Sequence, residues 1–315
     1  MPAGRRVPAV MARGQARGQR VEIEGRELTL SNLDKVLYPA AGFRKADVID
    51  YYRQIARWML PHLAQRPPTL VRAPDGPDGP RFFEKNCPSH HPGWVDTAPG
   101  NEATGGTKGC LVDELPTLVW LANLAALELH THQWTLADPA HPTAMVIDLD
   151  PGPPASIVDC CRVALALHET LAQLDLQCAV KTSGGKGLHL SVPVNGSGAT
   201  DDETKRFALA LGQLLESRDP DRVLVDMTRS KRAGKVFIDW SQNDRHKTTV
   251  CAYSLRLRDR PTVSTPLAWS EVESALDSDD EGALTFEAGS VLERVAEHGD
   301  LYVDSLSLHQ SLPAL

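Results

Sequence analysis

The sequence predicts an α/β protein whose second half contains a ferredoxin-like sheet, with two helices covering one face of four strands. Three observations lead to this prediction. Segments of helical periodicity alternate along the chain with short apolar runs typical of strands. Clusters of turn-forming residues separate these segments. Between residues 144 and 253 the elements follow the order β-α-β-β-α-β, as in ferredoxin-like and RNA-recognition-like sheets.

Length and composition allow a large buried core. The chain has 315 residues, of which 42% are hydrophobic and 23% are charged, which excludes global disorder. The longest apolar run without charge, residues 115–127, is shorter than the ~20 residues that span a bilayer. Residues 1–20 carry five arginines and lack the apolar core of a secretory signal. We therefore expect no membrane as a partner.

The first half is predicted to form an N-terminal α/β subdomain over residues 21–140, after a flexible basic leader over residues 1–20. Alternation predicts a strand in Val21–Leu30, and helical spacing predicts a helix from Lys45 to about Leu63. A strand is expected at Leu70–Ala73, before a loop dominated by Pro, Asp and Gly. Leu115–Leu129, which contains the apolar run of residues 115–127, is predicted to be a buried helix.

The second half is predicted to form a catalytic subdomain over residues 141–305, followed by a tail over 306–315. An apolar strand ends in two acids at Ala144–Asp150. Beyond it we expect helices at 156–174 and 200–217, and strands at 178–182, 188–192, 236–240 and 248–253.

The net charge of −8 hides an uneven distribution. Residues 267–304 carry a net charge of −10, whereas residues 229–260 carry +6. A local basic face is therefore available for a polyanion such as nucleic acid.

The six cysteines form no C-x-x-C pair, which argues against a disulfide scaffold and against a four-cysteine zinc site. Cys87, His90 and His91 have partial zinc-ligand spacing without a convincing fourth ligand nearby, so zinc is disfavoured. We expect a reducing, cytoplasmic location.

Paired carboxylates predict a metal site. Asp148 and Asp150 are two residues apart on an apolar strand and therefore project from the same face. Their mutual repulsion would be relieved by a hard divalent cation. Asp239 ends a second apolar strand and would complete a two-metal site for phosphoryl or nucleotidyl transfer. The alternatives are solvated loop acids, a helix N-cap, and a surface acid at a strand end.

A glycine-rich turn joins two predicted strands at Ser183–His189 (SGGKGLH). Its glycines allow backbone N–H groups to approach a phosphate, and its Ser, Lys and His add donors. It is not a Walker A loop, because Val180 stands where that motif requires glycine. A plain glycine hairpin is the alternative.

Further candidates for nucleic-acid or nucleotide contacts are scattered along the chain. Phe82 and Phe83 could stack on bases or belong to the core. His130 could brace a metal carboxylate, contact substrate, or be structural. Arginine and lysine side chains suit phosphate contacts but could also form a solvated face; they are Lys231, Arg232, Lys235, Lys247 and Arg256.

Eight stretches in order resemble the archaeo-eukaryotic primase superfamily, and most closely the polymerase domain of bacterial ligase D and the stand-alone mycobacterial primase-polymerases. The resemblance covers roughly residues 21–305. It implies a primase-polymerase fold, in which the ferredoxin-like catalytic sheet packs on the N-terminal subdomain. The stretches are LSNLDKVLYP (30–39), RKADVIDYY (44–52), FFEKN (82–86), ALELH (126–130), IDLDPG (147–152), TSGGKGLHL (182–190), SKRAGKVFIDWSQN (230–243) and KTTVCAYSLR (247–256).

The resemblance also implies the role of individual residues. Asp148, Asp150 and Asp239 would be the metal ligands, with His130 beside them. The nucleotide would be bound by Ser183, Lys186, His189, Arg232, Gln242, Lys247 and Arg256. Asn32, Lys35 and Lys45 would grip a 5′-phosphate at a DNA gap. Phe82 and Phe83 would stack near the templating base, and Arg72 and Lys85 would bind DNA.

These implications define the expected function. The protein would be a template-directed polymerase that extends 3′-OH ends in short DNA gaps or at breaks, with two Mn²⁺ or Mg²⁺ ions and with ribonucleotides accepted well. A DNA ligase and end-binding proteins would be its partners, at the nucleoid. Because no K-x-D-G motif occurs, we expect a stand-alone polymerase without ligase activity; a domain cut out of a longer protein is the alternative. The CPSHHPGW stretch departs from the family pattern. The alternatives are a non-catalytic module that binds DNA ends or gaps, and a metal-dependent nuclease or phosphatase.

Overall fold

A computed structural model describes residues 18–314. Residues 1–17 of the predicted leader lie outside this range, and the first strand begins at Gln19, inside the predicted leader. The strands of the described chain are β1 (Gln19–Ile23), β2 (Arg26–Leu30), β3 (Val36–Tyr38), β4 (Phe43–Arg44), β5 (Thr69–Arg72), β6 (Phe82–Glu84), β7 (Ala126–Thr131), β8 (Ala144–Pro151), β9 (Ala179–Thr182), β10 (Leu188–Pro193), β11 (Val223–Leu224), β12 (Val236–Asp239), β13 (Thr249–Val250) and β14 (Pro266–Leu267).

Seven α-helices accompany these strands within the described range. None of the helices found between residues 18 and 314 is long and apolar enough to cross a membrane. The helices are α1 (Lys45–Leu63), α2 (Leu115–Asn123), α3 (Ile157–Ala172), α4 (Asp201–Arg218), α5 (Trp269–Ser278), α6 (Ala288–His298) and α7 (Asp304–Ser307).

The predicted ferredoxin-like sheet is present. Six strands lie in the order β11-β12-β8-β10-β9-β14, and all neighbours pair antiparallel except β11 and β12. The units β8-α3-β9-β10-α4-β12 supply the β-α-β-β-α-β core. The fourth strand of that core is β12. The strand predicted at 248–253 is shorter than expected: only Thr249–Val250 is extended, and this strand pairs with β7 in the other sheet.

The second sheet has four strands in the order β13-β7-β5-β6. The predicted helix over Leu115–Leu129 is wrong in its second half: α2 ends at Asn123, Ala125 adopts φ +56°, and β7 begins at Ala126. A short apolar run does not distinguish a buried helix from a buried strand. Here pairing of β7 with β5 decides the outcome.

The predicted strand over Val21–Leu30 is a hairpin of two strands, with the turn at Glu24 and Gly25. Both turn residues have positive φ, and glycine adopts that conformation without steric cost. The predicted helix at Lys45 to Leu63 agrees with α1 at both ends. Asp47 accepts the N–H of Arg44 at 2.7 Å and so satisfies one free donor at the start of the helix.

Two hydrophobic cores support the two sheets. One lies between α1, α2 and the four-stranded sheet, and the other between the six-stranded sheet and α3 and α4. Residues from 251–302, which we assigned to the catalytic subdomain, also contribute to the first core. For example, the hydroxyl of Tyr51 in α1 donates to the carbonyl of Tyr253 at 2.8 Å. The two sheets are therefore joined by interleaved segments of the chain.

The cysteines correct one expectation. Cys87 and Cys110 form a disulfide that closes the loop after β6, with their Cα atoms 4.7 Å apart. The other four cysteines are free and buried. Sequence spacing missed this pair because the cysteines meet only when the loop folds back, with the N–H of Cys87 donating to the carbonyl of Lys108. The disulfide does not support the expectation of a reducing environment.

Candidate active site

A row of polar side chains crosses the six-stranded sheet. In the strand register His189 of β10 and Asp239 of β12 both lie directly opposite Asp148 of β8. Side chains alternate between faces along a strand. The neighbours Met145, Ile147 and Leu149 pack into the core under the helices, so these polar residues face away from the helices. The sheet thus brings together two of the predicted metal ligands and one predicted nucleotide contact.

Asp150 completes the predicted carboxylate set on the same face, two residues beyond Asp148. Burial and the neighbouring charge of Asp148 raise the pKa of Asp150 to about 6, against the opposing charge of Arg232. Burial of Asp148 is outweighed by the nearby His189, which lowers the pKa of Asp148. The electrostatic cost of two adjacent carboxylates, which the sequence predicted, is therefore present in the structure.

Gln242 bridges two of the carboxylates. It lies on a 3-10 turn, Trp240–Gln242, directly after β12. Its Nε2 donates to Asp239 Oδ2 at 3.1 Å and lies 3.4 Å from Asp148 Oδ2. Asp239 Oδ1 also accepts from the N–H and hydroxyl of Ser241 at 3.0 and 2.5 Å. Lys247, a predicted nucleotide contact, instead donates to the hydroxyl of Ser241 at 2.5 Å.

The donor chemistry of this set fits a hard divalent cation, since carboxylate oxygens are its preferred ligands. As the side chains stand, no group of three or more His, Cys, Asp or Glu residues within 18–314 is arranged to hold a metal ion. The Gln242 amide lies between two of the carboxylates. Metal binding that uses these oxygens of Asp148 and Asp239 would therefore displace the Gln242 amide from them.

The glycine-rich turn between β9 and β10 is compact. Ser183 Oγ accepts the N–H groups of Gly185 and Gly187, each at 3.2 Å. Gly184 has φ +66°, and a Cβ there would stand 2.6 Å from Arg256 Cγ, so only glycine fits. Ser183 is thus occupied in shaping its own loop, while the side chain of Lys186 at the tip is exposed.

Two arginines border the carboxylates. Arg232 Nη1 lies 4.0 Å from Asp150 Oδ2, and its guanidinium stacks over the ring of Phe237 at 3.7 Å from the centroid. Arg256 donates to the carbonyl of Ser183 and lies, through Nε, 3.1 Å from Glu128 Oε1. Both side chains are therefore held in place beside the predicted metal ligands.

Glu128 is a residue that the sequence reasoning missed. It is buried on β7, accepts the N–H of Leu257 at 2.7 Å, and lies 2.7 Å from His130 Nε2. Burial alone would raise the pKa of Glu128, but the hydrogen bond from His130 and the charge of Arg256 lower the pKa to about 2. The signal was available: Glu128 and His130 are two residues apart on one strand and therefore share a face.

An open cleft of about 560 Å³ joins these groups. It contains most of the predicted catalytic and nucleotide-binding residues, and it adds two arginines, Arg229 and Arg258, that the sequence reasoning did not assign to a site. The predicted residues that line it are His130, Asp148, Asp150, Ser183, Lys186, His189, Arg232, Gln242 and Arg256.

The predicted 5′-phosphate residues meet at the start of α1. Asn32 has φ +54°, its carbonyl accepts the N–H of Lys35, and the carbonyl of Lys35 accepts the N–H of Lys45. Lys45 is only 5% exposed, and its ammonium donates to the carbonyl of Ser31 at 2.7 Å. Burial and the nearby charge of Lys35 lower the pKa of Lys45 to about 8. Lys35 Nζ also lies 2.5 Å from Asp75 Oδ1.

The predicted aromatic contacts lie on β6, at the edge of the four-stranded sheet. Phe82 is 45% exposed and Phe83 is 73% exposed. As neighbours on a strand they point to opposite faces, so they do not form one continuous stacking surface. Arg72 on β5 pairs with Glu84 at 2.8 Å. Lys85 directly follows β6.

The chain is similar in sequence to known proteins. The model of the family described as the LigD primase-polymerase domain matches residues 44–302. The chain is 41% identical over 296 residues to the multifunctional non-homologous end joining DNA repair protein LigD of Mycobacterium tuberculosis, covering 91% of this chain and 37% of that protein. The bifunctional non-homologous end joining protein LigD of Bacillus subtilis is 29% identical over 278 residues, covering 88% of this chain and 44% of that protein.

A solved structure also resembles this fold. The polymerase domain of Mycobacterium tuberculosis ligase D in complex with DNA matches with a TM-score of 0.81 and 40% identity, covering 90% of this chain and 99% of that chain. Fold, cleft and sequence together define a nucleotidyltransferase of the primase-polymerase class. The chain belongs to the LigD primase-polymerase domain family. It spans about 37% of the length of the M. tuberculosis protein.

Proposed function

We propose that this chain is a template-directed polymerase that extends the 3′-hydroxyl ends of DNA in short gaps or at breaks during repair by end joining. The observation that carries the proposal is the convergence of Asp148, Asp150 and Asp239 on one face of the six-stranded sheet, beside a basic cleft. The names of the relatives, which are end-joining proteins, and the DNA in the similar solved structure support it.

The acidic residues are suited to hold two divalent cations, Mn²⁺ or Mg²⁺. When bound at Asp148, Asp150 and Asp239, these ions would activate the 3′-hydroxyl and neutralise charge on the triphosphate and leaving pyrophosphate. Burial and the charge of Asp148 together raise the pKa of Asp150 to about 6, so part of this shift comes from repulsion between the two carboxylates. Such repulsion favours binding of positive charge between them.

The basic residues of the cleft are suited to bind the nucleoside triphosphate. Arg232 and Arg256 present planar guanidinium groups that can each contact two phosphate oxygens, and Lys186 adds a point charge at the exposed turn. Their fixed position relative to Asp148 orients the reacting phosphate, which is the main contribution that a protein makes to phosphoryl transfer.

A second basic site at the start of α1 is suited to a 5′-phosphate. The charges of Lys35 and Lys45 lie near each other at the positive end of the helix dipole, and this arrangement favours an anion. A terminal phosphate carries ~1.5–2 negative charges near neutral pH and therefore binds more strongly than an internal phosphodiester. We propose that this site recognises the downstream end of a gap, and that a ligase and end-binding proteins act on the same ends.

The proposal is tested by incubating the protein with gapped DNA, each nucleotide and Mn²⁺, and by separating the products on a denaturing gel and the complexes on a native gel. Extension of the primer supports a polymerase. A mobility shift without extension would identify a binding module, and shortening of the DNA would identify a nuclease. Asp148→Ala is the inactive comparison, and Asp277→Ala, which removes an exposed acid of α5, is its matched control.

A further inference from the structure

The polar row on the six-stranded sheet extends one strand further than the proposed site requires. Lys181 of β9 lies directly opposite His189 of β10, which lies directly opposite Asp148 of β8. Lys181, His189 and Asp148 therefore share one face of three adjacent strands. Lys181 is 4% exposed, and a lysine is rarely buried to this extent unless its ammonium is well hydrogen-bonded.

The contacts of Lys181 are few and directed. Its Nζ donates to Ser264 Oγ at 2.7 Å, and the hydroxyl of Ser264 in turn donates to the carbonyl of Thr182 at 2.8 Å. Lys181 Nζ also lies 3.1 Å from His189 Nδ1. On the other side of the ring, His189 Nε2 lies 3.3 Å from Asp148 Oδ1. One ring nitrogen thus faces an ammonium and the other faces a carboxylate.

This arrangement selects one form of the imidazole. An ammonium has donors and no acceptor, so His189 Nδ1 must accept its hydrogen bond. The single ring proton then resides on Nε2 and points at Asp148, since the bond made by one ring nitrogen determines where the proton of the neutral ring lies. Ser264 cannot replace Lys181 in this role, because its hydroxyl proton is already donated to Thr182.

Lys181 does not line the open cleft in which the proposed substrate would bind. The open cleft is lined by His189 and Asp148 but not by Lys181. Lys181 instead lines a separate small cavity of about 60 Å³ between the two sheets, which His189 also borders. His189 therefore lies between Lys181 and the cleft, and the hydrogen-bonded path from Lys181 to Asp148 runs through the His189 ring.

We propose that Lys181 is a positioning residue that holds His189 in the Nε2–H tautomer, so that His189 donates to Asp148 and fixes the orientation of that carboxylate. The effect on catalysis rests on the proposed polymerase function, whereas the tautomer does not. Loss of a residue that orients a metal ligand through hydrogen bonds typically lowers metal affinity or activity by about 10- to 100-fold.

The direct test is nuclear magnetic resonance of histidine labelled with ¹⁵N and ¹³C in the full chain without nucleotide. The His189 signal is assigned by its loss in His189→Asn. Burial lowers the pKa of Lys181 to about 7, so spectra at pH 6 report the ammonium form. We expect the Nε2–H tautomer in the wild-type protein. A ring protonated at Nδ1 in the wild type overturns the proposal without any variant.

Variants then separate positioning from packing. Lys181→Met keeps the length of the side chain and removes the donor, and we expect a mixture of tautomers with incorporation reduced by about 10-fold or more. Lys181→Arg restores a cationic donor and should recover the tautomer. Lys205→Met removes a lysine of α4 that pairs with Asp244 and should leave the His189 signal and incorporation as in the wild type.

The outcomes are distinct. An unchanged tautomer in folded Lys181→Met overturns the proposal, whether or not incorporation falls. If the wild-type protein incorporates no nucleotide while Lys181→Met still alters the tautomer, the proposed polymerase function fails and the role of Lys181 stands.

Discussion

Asp239 stands directly opposite Asp148 in the antiparallel pairing of β12 with β8, and the amide of Gln242 reaches both carboxylates, at 3.1 and 3.4 Å. The pairing fixes the two acids on one face of the sheet, and the 3-10 turn after β12 returns Gln242 to them. This relationship assembles the carboxylate set from separate strands, and it makes the acids the first residues to test.

Replacing either acid of β8 should remove catalysis and leave DNA binding. In Asp148→Ala or Asp150→Ala we expect a large fall in nucleotide incorporation. The fall should exceed the roughly 10- to 100-fold loss that follows when a residue that only hydrogen-bonds a metal ligand is removed. Binding of gapped DNA should persist because the phosphate contacts lie elsewhere. Thermal unfolding of Asp150→Ala should show no loss of stability, since burial and the charge of Asp148 raise the pKa of Asp150 and the change removes that unfavourable charge. Wild-type extension rates in either variant would refute the metal assignment.

Removing the two lysines at the start of α1 should abolish the preference for a 5′-phosphate. The wild-type protein should bind a phosphorylated gap more tightly than an unphosphorylated one, because Lys35 and Lys45 add charge that only the terminal phosphate matches. A Lys35→Ala, Lys45→Ala double variant should bind both gaps equally, as measured by fluorescence anisotropy. Arg53→Ala, an exposed change on the same helix, should keep the preference. Equal discrimination by the double variant and the wild type would place the phosphate site elsewhere.

The preference for a 5′-phosphate should weaken at high pH. Burial lowers the pKa of Lys45 to about 8, so in the free protein Lys45 is charged at pH 7 and largely neutral at pH 9. A group with a lowered basic pKa loses its positive charge as the pH rises through that value, and its attraction for phosphate is lost with it. The ratio of the two dissociation constants should therefore shrink between pH 7 and pH 9. In Lys45→Met the ratio should vary much less over this range; an equal variation would assign the effect to another group.

Ribonucleotides should be incorporated at least as efficiently as deoxyribonucleotides. The expectation follows from the resemblance to the primase-polymerases and from membership of the LigD primase-polymerase domain family, and no single residue carries it. Steady-state kcat/KM for each nucleotide on the same gapped template measures it directly. A strong preference for deoxyribonucleotides would show that this chain differs from the relatives on which the expectation depends.

Glu128→Gln should destabilise the protein. The change replaces a buried carboxylate, which pairs with His130 and Arg256, by a neutral amide. Leaving such partners unsatisfied costs about 1–3 kcal/mol in the free energy of unfolding. Glu287→Gln is the matched control, because its exposed pair with Arg260 contributes at most ~1 kcal/mol. Urea unfolding at pH 7 compares the two variants. Equal losses in the free energy of unfolding would show that Glu128 contributes no more to stability than an exposed ion pair.

The pH dependence of stability gives a second test of Glu128. Because the pKa of Glu128 is lowered to about 2, its contribution is fully present above the ordinary glutamate value of about 4.3 and is lost as the pH falls toward 2. The difference in the free energy of unfolding between the wild type and Glu128→Gln should therefore decrease on acidification. A difference that stays constant from pH 6 to pH 3 would contradict the lowered pKa.

The amino-acid sequence alone determined the elements whose signals are local. The apolar spacing over 45–63 predicted α1 at both ends, and the alternation of helices and strands after residue 144 predicted the ferredoxin-like order. The i, i+2 spacing of Asp148 and Asp150 predicted a shared face, which depends only on the period of a strand. The ordered motifs that resemble the primase-polymerases predicted the family.

Tertiary structure decided the features that depend on which strands meet. Leu115–Leu129 is equally compatible with a helix or a strand, and only its pairing with β5 makes residues 126–131 extended. Thr249–Val250 belongs to the four-stranded sheet because it pairs with β7. Cys87 finds Cys110 only when the loop folds back. Glu128 pairs with Arg256, which is remote in sequence, and Lys181 lies opposite His189 on a neighbouring strand. The roles of Glu128 and Lys181 therefore depend on which segments meet and in which register, and the sequence pattern does not specify either.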